Sequence, residues 1–283
     1  MTTFRAAAIQ MRSTRSVETN IAEVEELVRA AAAAGADYVL TPEMTNLVER
    51  DRERLMAVTT EEQDDPTLKR MSEVARELGL WVHLGSLALK TPAGKAANRA
   101  LLIGPDGTLK ARYDKIHLFD VDLPNGESWR ESRTYDGGTE AVVADLPWIR
   151  LGFSICYDLR FPGLFNALAK AGAGMIAIPA AFTRQTGEAH WQVLQRARAI
   201  ETGSFVIAAA QGGTHEDGRE TYGHSLIVDP WGRVLVEADA DEPGFVIAEI
   251  DPGAVAAARS RIPALANERP FVAPARAEEQ VAS

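Results

Sequence analysis

Twice along this chain, short apolar runs alternate with longer stretches of helical periodicity, and that rhythm restricts the fold more than any other feature. In the first round, residues 4–11 (FRAAAIQM) read as a buried strand. The next stretch places Ile21, Val24, Leu27 and Val28 at helical spacing and closes at Gly35. Asp37 to Thr41 is a second apolar strand, stopped by Pro42. A helix over 66–78 opens with Pro66 and ends at Gly79, and Trp81 to Ser86 is the third strand. Asn98–Ile103 and Thr108–Arg112 flank Pro105-Asp106-Gly107, which predicts a hairpin.

The second round repeats the order. Strands are expected over Ile149–Ile155, Met175–Ile178 and Phe205–Ala210, with helices over 163–171 and Glu188–Thr202 between them. Runs over 222–229, 233–238 and 245–250 read as a closing meander, and the glycine-rich stretch 212–218 as a mobile loop. Strands alternating with helices, followed by hairpins, imply a layered α/β fold with a mixed sheet. No Pro/Ser/Gly linker divides the chain, so residues 1–260 are expected to form one domain. Residues 261–283, rich in Pro and Ala, are expected to form a C-terminal arm or tail.

Charge and cysteine content exclude several functions. Lys and Arg total 30 against 40 Asp and Glu, a net charge of −10, which argues against a general nucleic-acid binder or a polybasic membrane binder. No stretch approaches about 18 uncharged apolar residues, and the start lacks a basic segment followed by an apolar run. A cytoplasmic protein is the expectation. Cys156 is the single cysteine, so no disulfide can form within the chain, and a thiol peroxidase would have no resolving cysteine. The five histidines form neither H-E-x-x-H nor H-x-H, and no phosphate-binding P-loop occurs, so no metal or cofactor is expected.

Three residues carry the chemistry on this reading. Cys156, in L-G-F-S-I-C-Y-D-L-R-F-P, ends an apolar strand just before a helix, a setting expected to favour a thiolate and to offer the Tyr157 N–H to an oxyanion. Glu43 falls just past the carboxyl end of a strand, where a carboxylate can take and return a proton. Lys115 has apolar neighbours and is expected to point inward, its ammonium held charged by carboxylates. Glu127 and Glu131 are both placed to do this, and spacing alone does not choose between them.

These segments resemble the nitrilase, or carbon–nitrogen hydrolase, superfamily, whose members carry a Glu, Lys, Cys triad in three separated motifs. The motifs stand here as T-P-E-M, Y-D-K-I-H-L-F-D and S-I-C-Y-D-L-R-F-P, and the likeness runs over about residues 3 to 270. A-F-T-R-Q-T-G-E-A-H-W, A-A-A-Q-G-G-T-H and Y-G-H-S-L-I-V-D-P-W-G are most similar to the Nit-type amidases, with Gln192 where that branch has Glu. The resemblance implies an α-β-β-α sandwich, paired into homodimers, that works without a cofactor. It implies Glu131 as the second carboxylate, Arg160 as the holder of a substrate carboxylate, and Thr186 as another substrate contact. The implied reaction takes a small carboxylate-bearing amide to acid and ammonia through a cysteine thioester. Deaminated glutathione is the first substrate choice, and α-ketoglutaramate or an N-carbamoyl amino acid the alternatives.

Overall fold

The computed structural model describes residues 2–123, 126–239 and 241–272. Its first half runs β1 (Phe4–Gln10), α1 (Val17–Ala33), β2 (Tyr38–Leu40), α2 (Arg52–Val58), α3 (Pro66–Leu78), β3 (Trp81–Lys90), β4 (Ala96–Ile103) and β5 (Leu109–Asp114). Three short strand pieces and another strand follow: β6 (Asp120–Asp122), β7 (Ser128–Arg130), β8 (Tyr135–Asp136) and β9 (Val143–Asp145). The second half runs β10 (Arg150–Phe153), α4 (Pro162–Lys170), β11 (Met175–Ala177), α5 (Arg184–Thr202) and β12 (Phe205–Ala208). It closes with β13 (Gly212–Thr214), β14 (Glu220–Tyr222), β15 (Leu226–Val228), β16 (Val234–Glu237), β17 (Gly244–Ile250), α6 (Gly253–Arg261) and α7 (Ala264–Asn267).

Local chemistry sets the helix ends. Ser16 caps α1 by accepting from Thr19 N at 3.2 Å, Asp65 caps α3 ahead of Pro66, and Gly79 ends α3 at φ 63°, a conformation open to glycine. Each half makes a parallel core, β1-β2-β3 and β10-β11-β12, with helices as the crossovers, and antiparallel strands complete each sheet.

Side-chain alternation then decides the layers. Along β1, Ala7 and Ile9 pack with Val24 and Val28 of α1 and Val74 of α3. Ala6 and Ala8 face the other way, into a cluster with Phe153, Ile176 and Ile207 of the second sheet. The outer face of that second sheet is covered by α4 and α5; Leu168 of α4 sits so close to Gly152 that a Cβ there would meet it at 3.2 Å. The order is helix, sheet, sheet, helix, as the resemblance implied.

Several sequence expectations need correction. The sheets are two, not one. β17 does not continue the β15–β16 hairpin in its own sheet but pairs antiparallel with β1 along its whole length. The 222–229 run divides, Tyr222 belonging to β14 and Leu226–Val228 to β15. β3 continues through a bulge to Lys90, and α5 starts at Arg184 rather than Glu188. The 212–218 stretch is a hairpin whose buried His215 bonds Ser13 O at 2.9 Å and the Thr221 hydroxyl at 2.7 Å. Of the expected arm, 261–272 contains α7, and 273–283 lies outside the described residues. Among the described residues no helix is long and apolar enough to cross a membrane.

Candidate active site

The two sheets bring their strand ends together at one edge of the sandwich. Met11, just past β1, bridges Gln211, just past β12, and Gly212 N donates to Met11 O at 2.8 Å. At this end, beyond the carboxyl ends of β2, β5 and β10, stand Glu43, Lys115 and Cys156.

Glu43 follows a tight turn built on backbone contact. A Cβ on Gly85 would lie 1.9 Å from Thr41 O and 2.4 Å from Pro179 Cβ, so only glycine lets the turn settle against β3. Glu43 Oε2 accepts from Ala181 N at 2.9 Å, and Oε1 from Lys115 Nζ and Asn98 Nδ2, both at 2.8 Å. Lys115 Nζ also reaches Glu131 at 2.9 and 3.1 Å. Glu131 is held in turn by Phe119 N at 2.6 Å and Asn98 Nδ2 at 3.0 Å. Of the two candidates, Glu131 is the one in contact with Lys115; Glu127 accepts from the Trp129 indole at 3.2 Å.

Cys156 begins a short 3-10 turn at φ 49°, one of three non-glycine residues with positive φ among those described. Cys156 N donates to Pro179 O at 2.8 Å, and Cys156 and Glu43 line the same cavity. Asp158, fully buried, fixes this turn against the lysine segment. Its carboxylate accepts from Ile155 N at 2.8 Å, Tyr113 OH at 2.6 Å and His117 N at 3.0 Å, and it contacts His117 Nδ1 at 2.7 Å.

Electrostatics follow from this burial. Desolvation alone would raise the Glu43 pKa, but the Lys115 ammonium and the donors around it hold it below its ordinary value. Desolvation would likewise lower Lys115, yet Glu131 and Glu43 push it well above its usual value. Burial, then the Glu43 charge, drives the Cys156 thiol well above its usual range. Burial and the Glu43 charge therefore oppose the thiolate that the turn was expected to favour. The Cys156 amide is spent on Pro179 O, and burial outweighs the ammonium.

A cavity of about 610 Å³ opens over these groups. Glu43, Lys115, Glu131, Cys156, Tyr157, Arg160 and Thr186 all line it, so the seven residues singled out from sequence converge on one space. The Arg160 guanidinium lies over the rings of Phe182 and Tyr157, 5.2 and 6.0 Å from their centroids, and contacts His190 Nδ1 at 3.2 Å. Thr186 shares a 2.8 Å hydroxyl contact with Thr183.

Sequence reasoning missed Asn98, Asp158, the Ala181 N–H and the far cavity wall. Asn98 did leave a signal: it is the polar residue of A-A-N-R-A-L-L-I on the face shared with Ala100 and Leu102, which turns toward the second sheet. The Ala181 amide leaves none, because only the meeting of the two sheets aims it at Glu43.

The description "carbon-nitrogen hydrolase" belongs to the family model that matches residues 5–260. A deaminated glutathione amidase of Synechocystis sp. is 41% identical over 276 residues, 96% of this chain and 100% of that one. One from Yersinia enterocolitica is 39% identical, covering 93% of this chain and 92% of its own. The crystal structure of the Caenorhabditis elegans NitFhit protein superposes with TM-score 0.88 at 36% identity, over 94% of this chain and 65% of that one. With the three motifs assembled into one site and the family model spanning nearly all of its domain, this chain belongs to the carbon–nitrogen hydrolase family.

Proposed function

We propose that this enzyme, a carbon–nitrogen hydrolase acting on linear amides, uses Cys156 as nucleophile, Glu43 as the proton carrier and Lys115 as the oxyanion's cation. The observation that carries the assignment is the Lys115 ammonium bridging the buried Glu43 and the partly buried Glu131 in the cavity that Cys156 lines. Glu43, held below its ordinary pKa beside Cys156, takes the thiol proton as sulfur attacks the amide carbonyl. Lys115 Nζ and the Tyr157 N–H stabilise the oxyanion. Glu43 returns the proton to the departing amine, leaving an acyl thioester and an ionised carboxylate. It then takes a proton from water as the hydroxyl adds to the thioester, and collapse frees the acid and restores the thiol. Glu131 keeps Lys115 charged and aimed throughout.

The preferred substrate is deaminated glutathione, supported by the names of the relatives and by Arg160 and Thr186, which we assign to the carboxylate on the acyl side. From this substrate the leaving amine is a dipeptide and not the ammonia expected from sequence; ammonia leaves from the alternative, α-ketoglutaramate. N-carbamoyl amino acids remain a second alternative. Incubating these three with wild type and Cys156→Ala, and following amine release, tests the reading. By intact mass, acid-quenched wild type should carry an acyl adduct that Glu43→Gln forms far more slowly; an adduct at the wild-type rate would mean that the proton has another acceptor. Turnover that survives Cys156→Ala would overturn the assignment.

We also propose that a second copy of the chain covers the exposed apolar residues Val193 and Ile200 of α5, Ile200 lying against the turn that carries the exposed Trp231. The homodimer reading fails if the protein sediments as a monomer at micromolar concentration. A single free thiol nucleophile suits a reducing cytoplasm, and recovery of the native protein in a compartment other than the cytoplasm would refute that placement.

A further inference from the structure

The cavity has a second cationic pole that the chemistry above does not use. Trp129 on β7 carries two guanidinium groups over its ring, those of Arg50 and Arg219, each 4.6 Å from the ring centroid. All three residues line the same space as Cys156. They come from the loop before α2, from β7, and from the tip of the β13–β14 hairpin.

Like charges gathered on one ring repel, and the carboxylates at hand meet them only loosely: Glu127 sits on the indole N–H at 3.2 Å and Asp217 Oδ2 stands 3.9 Å from Arg219 Nε. Arg130 nearby shows what a satisfied arginine looks like here: Asp122 holds it with two oxygens, each at 2.9 Å. Arg219 differs. Its Nε is buried with no hydrogen-bond partner, and the nearest carboxylate oxygen, Asp217 Oδ2, stands 3.9 Å away. Arg50 makes no hydrogen bond or ion pair to any described residue beyond its contact with Trp129. In a chain of net charge −10, two such arginines facing one cavity are a site for an anion with planar oxygens.

The site is rigid and has a direction. His215, bonded on both ring nitrogens, anchors the hairpin that presents Arg219, and His215 N donates to Arg219 O at 2.8 Å. An aromatic path leads there from beside the nucleophile: Tyr157 to Phe119 at 5.1 Å, then Phe119 to Trp129 at 6.2 Å between centroids. Arg160 stands at the other pole, over Phe182. One cavity with two cationic ends matches a substrate with a carboxylate at each end of the scissile amide.

We infer that Arg50 and Arg219, stacked on Trp129, bind a carboxylate on the amine side of the substrate, so that the enzyme selects amides whose leaving group is itself an acid. This rests on the substrate reading above, since deaminated glutathione ends in a glycine carboxylate on that side.

The test compares deaminated glutathione with the same compound capped as a primary amide at the glycine carboxyl. For the wild type, capping should lower kcat/KM about ten- to a hundredfold, the range of a charge-assisted hydrogen bond. For Arg219→Gln the capping penalty should shrink to about threefold or less, while Arg219→Lys recovers part of it. Arg50→Gln, an exposed position, repeats the comparison independently of whether Arg219→Gln folds. A capping penalty equal in wild type and both glutamine variants would overturn the subsite and leave the substrate reading intact. A wild type that turns over α-ketoglutaramate but not deaminated glutathione would overturn both.

Discussion

Replacing Lys115 by methionine removes one charge from the most buried ion cluster among the described residues and should leave a pH signature that separates electrostatics from packing. The lysine side chain is 2% exposed, with Glu43 at 5% and Glu131 at 11%. Methionine fills much of the same volume, so cavity formation is a small part of the loss. The larger part is two carboxylates left facing each other without their cation. Removing one member of a buried pair costs about 3–5 kcal/mol. The variant can limit this by keeping one carboxyl protonated in the fold. In the wild type Glu43 is held below its ordinary pKa, so above about pH 5 neither folded nor unfolded chain carries a proton there and stability is flat. In Lys115→Met the folded carboxyl pKa is raised. Between the unfolded value near 4.5 and that raised value the folded state binds about one proton more than the unfolded state. Stability of the variant then falls by about 1.4 kcal/mol per pH unit as pH rises. Urea unfolding at pH 5, 6.5 and 8 should show the deficit against wild type widening steadily. Amide turnover should drop by about 10²–10³-fold or more from the missing oxyanion cation alone. A deficit that stayed constant across this range, or a variant as stable as wild type at pH 8, would refute the ion-cluster account.

Three further outcomes follow from the same geometry. Gly85→Ala should destabilise the protein by about 1–3 kcal/mol and depress activity further, because its Cβ would strike Thr41 O and Pro179; a variant with native melting behaviour would contradict this. Asp158→Ala should lower kcat more than KM, by releasing Tyr113 and His117 on one side and the Ile155 amide on the other. Its hydrogen-exchange protection should fall at residues 113–117 and 155–158 together, and loss confined to one segment would show that Asp158 does not tie them. With the thiol pKa raised and Glu43 lowered below 4.5, kcat/KM should stay flat from about pH 5 to 9. A rise with an apparent pKa inside that window would mean that a pre-formed thiolate reacts.

Periodicity exposed the parallel cores because helices and strands bury one face each at distinct spacings, and that signal is local. It misplaced the last strand for the same reason: nothing in G-F-V-I-A-E-I tells whether it pairs with its neighbour β16 or returns to β1, a matter of where the sheet still has an open edge. The 212–218 stretch looked like a loop because its glycines hide a hairpin held by one histidine from a distance. At the site, Glu43 and Cys156 could be found in sequence because each sits where an apolar strand stops, and Lys115 because apolar neighbours flank it after the hairpin strand. Choosing Glu131 over Glu127 needed resemblance or coordinates, since two carboxylates four residues apart differ only in which one the loop turns inward.

The sequence by itself determined the alternation of elements, the acidic balance, the lone sulfur and the three residue types that must meet it, because propensity, charge and cysteine count are properties of the chain alone. Only the tertiary structure decided that burial opposes ionisation of the sulfur, that Asn98 and the Ala181 amide steer Glu43, and that two arginines share Trp129. Those outcomes depend on desolvation and on distances between segments up to 169 residues apart, such as Arg50 and Arg219, which no local pattern encodes.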